Sequence, residues 1–376
     1  MSRLLSAAWL CLCLACGSIS GSGELGDTVI VASEDPNLRV VQVADGRVVA
    51  RPEPAPPGAY GFARSIDGRF LYFAGSVTYA DRQVLALDTR SLKVQWHHPL
   101  TDLEGRSDVT GLELLSIAAL APSPSDHWLL IAPGRRDGIT GVAVLAGASR
   151  EPVAFLAPLM VPTDGMAALR ASAVFPSGAV VVAGSREQGI GPKSGWLFFF
   201  EGDSLQLRDS VQLTRDVESL WGGLGQVVPS PDGMSVYALG PGVLFKYALA
   251  SREVRTAPSV AGRLSVARDG TVYLGDSGYW DTQPSSGLLF RYSSDLATVD
   301  SIDLGSAAVE GVGPTIQAAA PSPDGSTVYV LIGNARVGVG QFPGQQKRIL
   351  VVDAIKKQVL KWFPLGDWGG TTIFVR

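Results

Sequence analysis

The sequence predicts an all-β chain built as a seven-bladed β-propeller, closed by a C-terminal strand that joins an N-terminal three-strand blade. Three observations lead there. A turn rich in Ser, Pro, Asp and Gly, followed by a short β-branched or aromatic strand, recurs about every 50 residues. No segment carries the 3.6-residue apolar period that an all-α or βαβ chain requires. The two ends of the chain carry strand sequences that are incomplete alone and complementary together.

From the N-terminus, Arg3 makes a short basic region and Leu4 to Ala15 an apolar run interrupted only by Ser6. The run is shorter than the roughly 20 residues that span a bilayer and fits the hydrophobic region of a signal peptide. Leu14-Ala15-Cys16-Gly17 follows and resembles a bacterial lipobox, whose cysteine becomes a lipidated first residue; Cys13 stands where leucine is usual. The expected organisation is a signal peptide over 1–15, a lipid-anchored tether over 16–25 beginning at Cys16, and the propeller over 26–376. Cleavage by an ordinary signal peptidase after Ala15 or Gly17 is the alternative. Gly17 is not the aspartate that holds enteric lipoproteins at the inner membrane, which favours the outer membrane, facing the periplasm or the cell surface. Cys11, Cys13 and Cys16 are the only cysteines, so the mature domain has no internal disulfide and rests on packing.

The domain opens with Thr28-Val29-Ile30-Val31, Leu38 to Val43 and Arg47 to Ala50, a blade lacking its first strand. Thr371-Thr372-Ile373-Phe374-Val375 at the other end supplies it, which removes open sheet edges. Between them lie six copies of the repeat. Ser65-Ile66-Asp67-Gly68 precedes Phe70 to Phe73, Pro122 to Asp126 precedes Trp128 to Ile131, and Pro176-Ser177-Gly178 precedes Val180 to Val182. Pro229 to Gly233 precedes Val236 to Leu239, Asp269-Gly270 precedes Val272 to Leu274, and Pro321 to Gly325 precedes Val328 to Leu331. The turn chemistry explains the phrase: Pro presets φ, Asp bonds its own backbone and Gly takes positive φ. A second strand pair follows each phrase, as in Val84 to Asp88 with Lys93 to Trp96.

The Ser-Pro-Asp-Gly turn, the Val-Tyr-Val strand and the later Val-Val-Asp strand resemble the YVTN-type seven-bladed propellers of bacteria, over nearly all of the mature chain. That resemblance implies architecture; members include surface and periplasmic proteins. A second, local resemblance covers Ala86 to Trp96, which is similar to the tryptophan-docking repeat of quinoprotein-type propellers, with Ser91 for Thr and Leu92 for Gly. Lipoprotein scaffolds of outer-membrane protein assembly carry such repeats.

A net charge of −4 with no basic face argues against nucleic acid. The three histidines, His97, His98 and His127, have no metal-ligand spacing, and adjacent strand residues point to opposite faces. No nucleophile elbow, zincin or Walker motif is present. Gly189 to Gly195 has the wrong spacing for a phosphate loop, and Pro192 removes a donor. The acidic pairs Asp102/Glu104, Asp216/Glu218 and Asp276/Asp281 read as solvated loop acids, and Ser33-Glu34-Asp35 falls short of a calcium loop. No cofactor or metal is expected. Candidate ligand-binding residues are those leading into the inner strands: Arg64, Arg170, Trp221, Arg263, Gln317 and Trp368. Converging guanidiniums suit an anion; pairing with the repeat aspartates is the alternative. The function expected is a non-enzymatic binding or scaffold module at the cell envelope, its partner an envelope protein, a peptide or a small anion, its membrane contact the N-terminal lipid alone. The alternative is a propeller enzyme, a quinone-dependent dehydrogenase or a lactonase.

Overall fold

The computed structural model describes residues 28–33, 38–52, 59–64, 69–75, 83–99, 116–118, 127–132, 141–146, 152–156, 160–161, 165–175, 177, 179–187, 194–201, 206–214, 224–260, 262–276, 286–305, 314–334, 347–366 and 370–375. The signal segment, Cys16 and the tether lie outside them.

All regular elements among the described residues are β-strands. The N-terminal sheet holds β1 (Thr28–Ser33), β2 (Leu38–Gln42) and β3 (Val48–Ala50). The next two are β4 (Ala59–Arg64), β5 (Phe70–Gly75), β6 (Gln83–Asp88), β7 (Val94–Pro99), and β8 (Ser116–Ala118), β9 (His127–Ala132), β10 (Gly141–Ala146), β11 (Pro152–Leu156). A five-stranded sheet holds β12 (Met160–Val161), β13 (Gly165–Val174), β14 (Val180–Glu187), β15 (Ser194–Phe200) and β16 (Leu207–Gln212). Then come β17 (Gln226–Pro229), β18 (Ser235–Gly240), β19 (Val243–Ala248), β20 (Val254–Pro258), and β21 (Gly262–Val266), β22 (Val272–Asp276), β23 (Leu288–Tyr292), β24 (Val299–Asp303). The last sheet holds β25 (Pro314–Pro321), β26 (Thr327–Asn334), β27 (Lys347–Asp353) and β28 (Gln358–Gly366). The final strand, β29 (Gly370–Val375), pairs antiparallel with β1 as the innermost member of the N-terminal sheet, Val29 opposite Val375 and Val31 opposite Ile373.

Each sheet is a meander, and the first strands stand side by side: β8 lies beside β4 and β13, and β13, β17, β21, β25 and β29 follow in turn. They begin at one end of this ring, the mouth, and finish at the other, where the Ser-Pro-Asp-Gly turns sit. The second strands are the most apolar; every residue of β18 and of β22 is buried. A strand covered on both faces needs a continuous apolar run, which Val-Tyr-Ala-Leu and Val-Tyr-Leu supply. Outer strands alternate or lie open, as in β20 and β24.

The turns are built as the sequence implies. Ser230 Oγ bonds the Asp232 carboxylate and accepts from Ser235 N at 2.9 Å, while Gly233 adopts φ 70°. Ser322, Asp324 and Gly325 repeat this, with Thr327 N donating to Ser322 Oγ at 3.0 Å. Serine hydrogen bonds hold both Asp232 and Asp324 below the ordinary aspartate range.

The all-β propeller expected from the sequence is present, but the expectation of seven blades is corrected by this packing. The seven hydrogen-bonded sheets are not equivalent: β12 folds back on Gly165–Met166 and gives one sheet a fifth strand on its inner side. Hydrophobic cores among the described residues fill seams between neighbouring sheets, as between the last two sheets and between the last and N-terminal sheets. The repeated phrase marks second strands; it carries no information on added inner strands.

Candidate functional site

Four of the first strands share a local distortion. In β4, β13, β25 and β29 the register with the second strand slips by one residue, leaving Tyr60, Arg170, Gln317 and Thr371 unopposed. Arg170 and Gln317 stand at the same distance ahead of Phe175 and Ser322, where β13 and β25 have ended. β17 pairs without a slip, and just before it Gly225 N donates to Leu239 O at 2.8 Å. A bulge re-aims the chain locally and is enriched beside functional sites. Here it recurs around one end of the ring.

Three of the residues expected from sequence come to this mouth. Arg170 and Gln317 are bulge residues, and Arg263 is the second residue of β21, exposed and engaged in interactions of its own. Arg64 does not join them. It is the last residue of β4, opposite Leu71, and belongs to the turn end. Trp221 and Trp368 lie outside the described residues.

Sequence reasoning missed several polar groups here. The Gln226 side chain spans two sheets, donating from Nε2 to Gly262 O at 3.0 Å and accepting from Leu264 N at 2.7 Å. It thereby satisfies the inner edge of β21. Asp276, read from the sequence as a solvated loop acid, is instead a buried strand residue at the mouth end of β22, where it accepts from Ser286 N at 2.7 Å and Ser286 Oγ at 2.6 Å. Lys347, Thr315 and Arg39 approach the mouth from the last and N-terminal sheets. Burial, and then the neighbouring Arg51, draw Arg39 below the ordinary arginine value. The legible signal was polar side chains at the starts of apolar strands, and it was read only for the residues just before or within the first strands. Among the described residues no group of three or more His, Cys, Asp or Glu could hold a metal.

Solved structures of similar shape share this architecture. A proposed 6-phosphogluconolactonase of Bacteroides uniformis aligns with TM-score 0.59 and 10% identity over 93% of this chain and 99% of its own. A second, from Bacteroides fragilis, aligns with TM-score 0.58 and 11% identity over 95% and 99%. The Dos1 propeller aligns with TM-score 0.50 and 13% identity over 81% and 72%. The chain has the β-propeller fold. At these identities the likeness shows the propeller alone. No family model and no curated protein matches the chain, so the finer resemblance to YVTN-type propellers has no family match behind it.

Proposed function

We propose that this propeller is an exported binding module, tethered to the bacterial envelope through Cys16, that takes its ligand or partner at the mouth. The recurrent bulge carries the reading. A distortion repeated in β4, β13, β25 and β29, with Arg170 and Gln317 at two of the four places, costs ladder hydrogen bonds and is not needed to close a ring. An envelope extract passed over the immobilised mature domain tests it. Wild type is expected to retain a species that the Arg170→Ala/Gln317→Ala double variant loses; retention by neither or by both sinks the reading. Cys16→Ala is expected to move the protein from the membrane to the soluble fraction and to abolish fatty-acid labelling.

A second reading, lactone hydrolysis, is favoured by the two structural neighbours described as proposed 6-phosphogluconolactonases. On this chain it would rest on Asp276, the described carboxylate buried at the mouth and oriented by Ser286. Hydrolysis of 6-phosphogluconolactone faster than its spontaneous rate, and lost in Asp276→Asn, would establish that reading over the first.

A further inference from the structure

The seam between the last sheet and the N-terminal sheet gathers an unusual set of polar groups at the mouth. Below them the seam is apolar: Leu331, Ile349 and Val351 on one side meet Val29, Val31 and Ile373 on the other. Side chains two residues apart on a strand share a face, so Gly333 continues the face of Leu331. A Cβ at Gly333 would lie 3.6 Å from Gln317 Nε2 and 3.7 Å from Lys347 Cε. The Gln317 amide and the Lys347 chain therefore both cover the bare backbone at Gly333, on the side that faces the N-terminal sheet. Thr315 is directly opposite Gly333 in the ladder, and opposed residues share a face. Thr315 is 7% exposed, and its hydroxyl is buried without a hydrogen-bond partner among the described residues. From the other wall Arg39 reaches across, its Nη1 donating to Leu365 O at 3.4 Å. The next residue, Gly366, is the ladder partner of Lys347, so the guanidinium and the ammonium enter the same seam from opposite sheets.

Two cations, a primary amide and an unsatisfied hydroxyl form a donor-rich set. A buried hydroxyl without a partner is costly unless something fills the place. Arg and Lys are the groups that bind carboxylate and phosphate through charge-assisted hydrogen bonds. Both cations make further interactions within the protein, so the seam is a structured site rather than a pair of loose side chains. We infer that this seam is a subsite for the oxyanion of a small molecule, a carboxylate or a phosphate, held by Arg39, Lys347, Gln317 and Thr315. The inference rests on the reading of the mouth as the ligand site and names the chemistry of what enters there.

Calorimetric titration of the mature domain with inorganic phosphate and, in parallel, with gluconate tests it. Wild type is expected to bind at least one of them saturably. Lys347→Gln should weaken that binding about tenfold or more, as loss of one charge-assisted contact does. Gln317→Glu, which sets a negative charge beside Lys347, should abolish it at an unchanged melting temperature, so that a fold defect in one variant leaves the other informative. Lys356→Gln, which removes an exposed charge from the β27–β28 turn at the other end of the same sheet, should bind as wild type does. No saturable binding of either anion overturns the inference. So does binding that survives both Lys347→Gln and Gln317→Glu within twofold, or that falls equally in Lys356→Gln. Retention of an extract species by wild type with no anion binding would fail the subsite alone and leave the mouth as the ligand site.

Discussion

At the scale of single residues, the propeller depends on close approach between neighbouring sheets. Gly275 is the last residue but one of β22, where β25 of the next sheet passes; a Cβ there would overlap Cγ2 and Cβ of Ile316, which is 1% exposed and fixed in a core. Gly275→Ala is therefore expected to destabilise by about 1–3 kcal/mol, as overpacking does, read as a lower denaturation midpoint at unchanged slope. Two tyrosines tie sheets by their hydroxyls: Tyr237 donates to Ser294 O at 2.7 Å, and Tyr292 donates to Pro258 O at 2.9 Å. Burial pushes both up to about 12 from an ordinary 10.0. The folded state thus holds these protons more tightly than the unfolded chain. Their contribution is full below pH 10 and is lost as pH rises from about 10 towards 12. Melts across that window should show a fall in stability that is shallower in Tyr292→Phe. Leu92, the residue standing where the tryptophan-docking repeat has Gly, has φ 57°, and Arg252, Leu296 and Lys357 hold the same backbone in the matching turns of other sheets. The glycine of that repeat thus marks a real left-handed position, and this chain fills it with side chains.

At the scale of elements, inner strands need partners on the side away from their sheet. Gln226 solves this for β21, replacing a ladder contact with an amide that both donates and accepts across the seam. Gln226→Leu should leave Gly262 O and Leu264 N unpaired in a half-buried place and cost about 1–3 kcal/mol. Gln226→Glu keeps the acceptor for Leu264 N and should recover part of that loss in the same urea titration; equal stability of all three proteins would show that the clasp carries no weight. Further out, Arg291 joins two sheets by bonding Asp300 and donating to Ala354 O at 2.7 Å. Burial works to raise Asp300, but hydrogen bonds from Arg291 and Lys357 outweigh it and hold the carboxyl below its ordinary range.

At the scale of the whole molecule, stability hangs on the pairing of β1 with β29. Ile373 and Val375 sit in the core that joins the N-terminal sheet to the last one. Each fully buried side chain of this kind contributes about 1.5–3 kcal/mol, and a domain is stable by only about 5–15 kcal/mol. Removing residues 370–376 would also expose the inner edge of β1, with Val29, Ile30 and Val31 fully buried at present. The truncated protein is expected to aggregate or to melt far below the full chain, whereas deleting 18–23 should leave the melting temperature nearly unchanged. A truncation as stable and monomeric as the parent would contradict the pairing.

The sequence by itself determined the strands, the turns and the closure. Hairpin chemistry at Ser230 to Gly233 and Ser322 to Gly325 is local, and an apolar run such as Val272 to Leu274 is legible wherever both faces of a strand are covered. The complement between Thr28 to Val31 and Thr371 to Val375 is a matter of period and completeness, which a one-dimensional reading can find. Only the tertiary structure decided the rest. The fifth strand at Met160–Val161 is two residues long and carries no period. Arg64 belonged with Arg170 in sequence, yet Arg64 ends β4 beside the turns whereas Arg170 stands earlier along β13, at its bulge. Arg39 and Lys347 are separated by nearly the whole chain and share a seam only because β29 closes on β1, so their chemistry appears only when long-range pairing has brought the first and last sheets together.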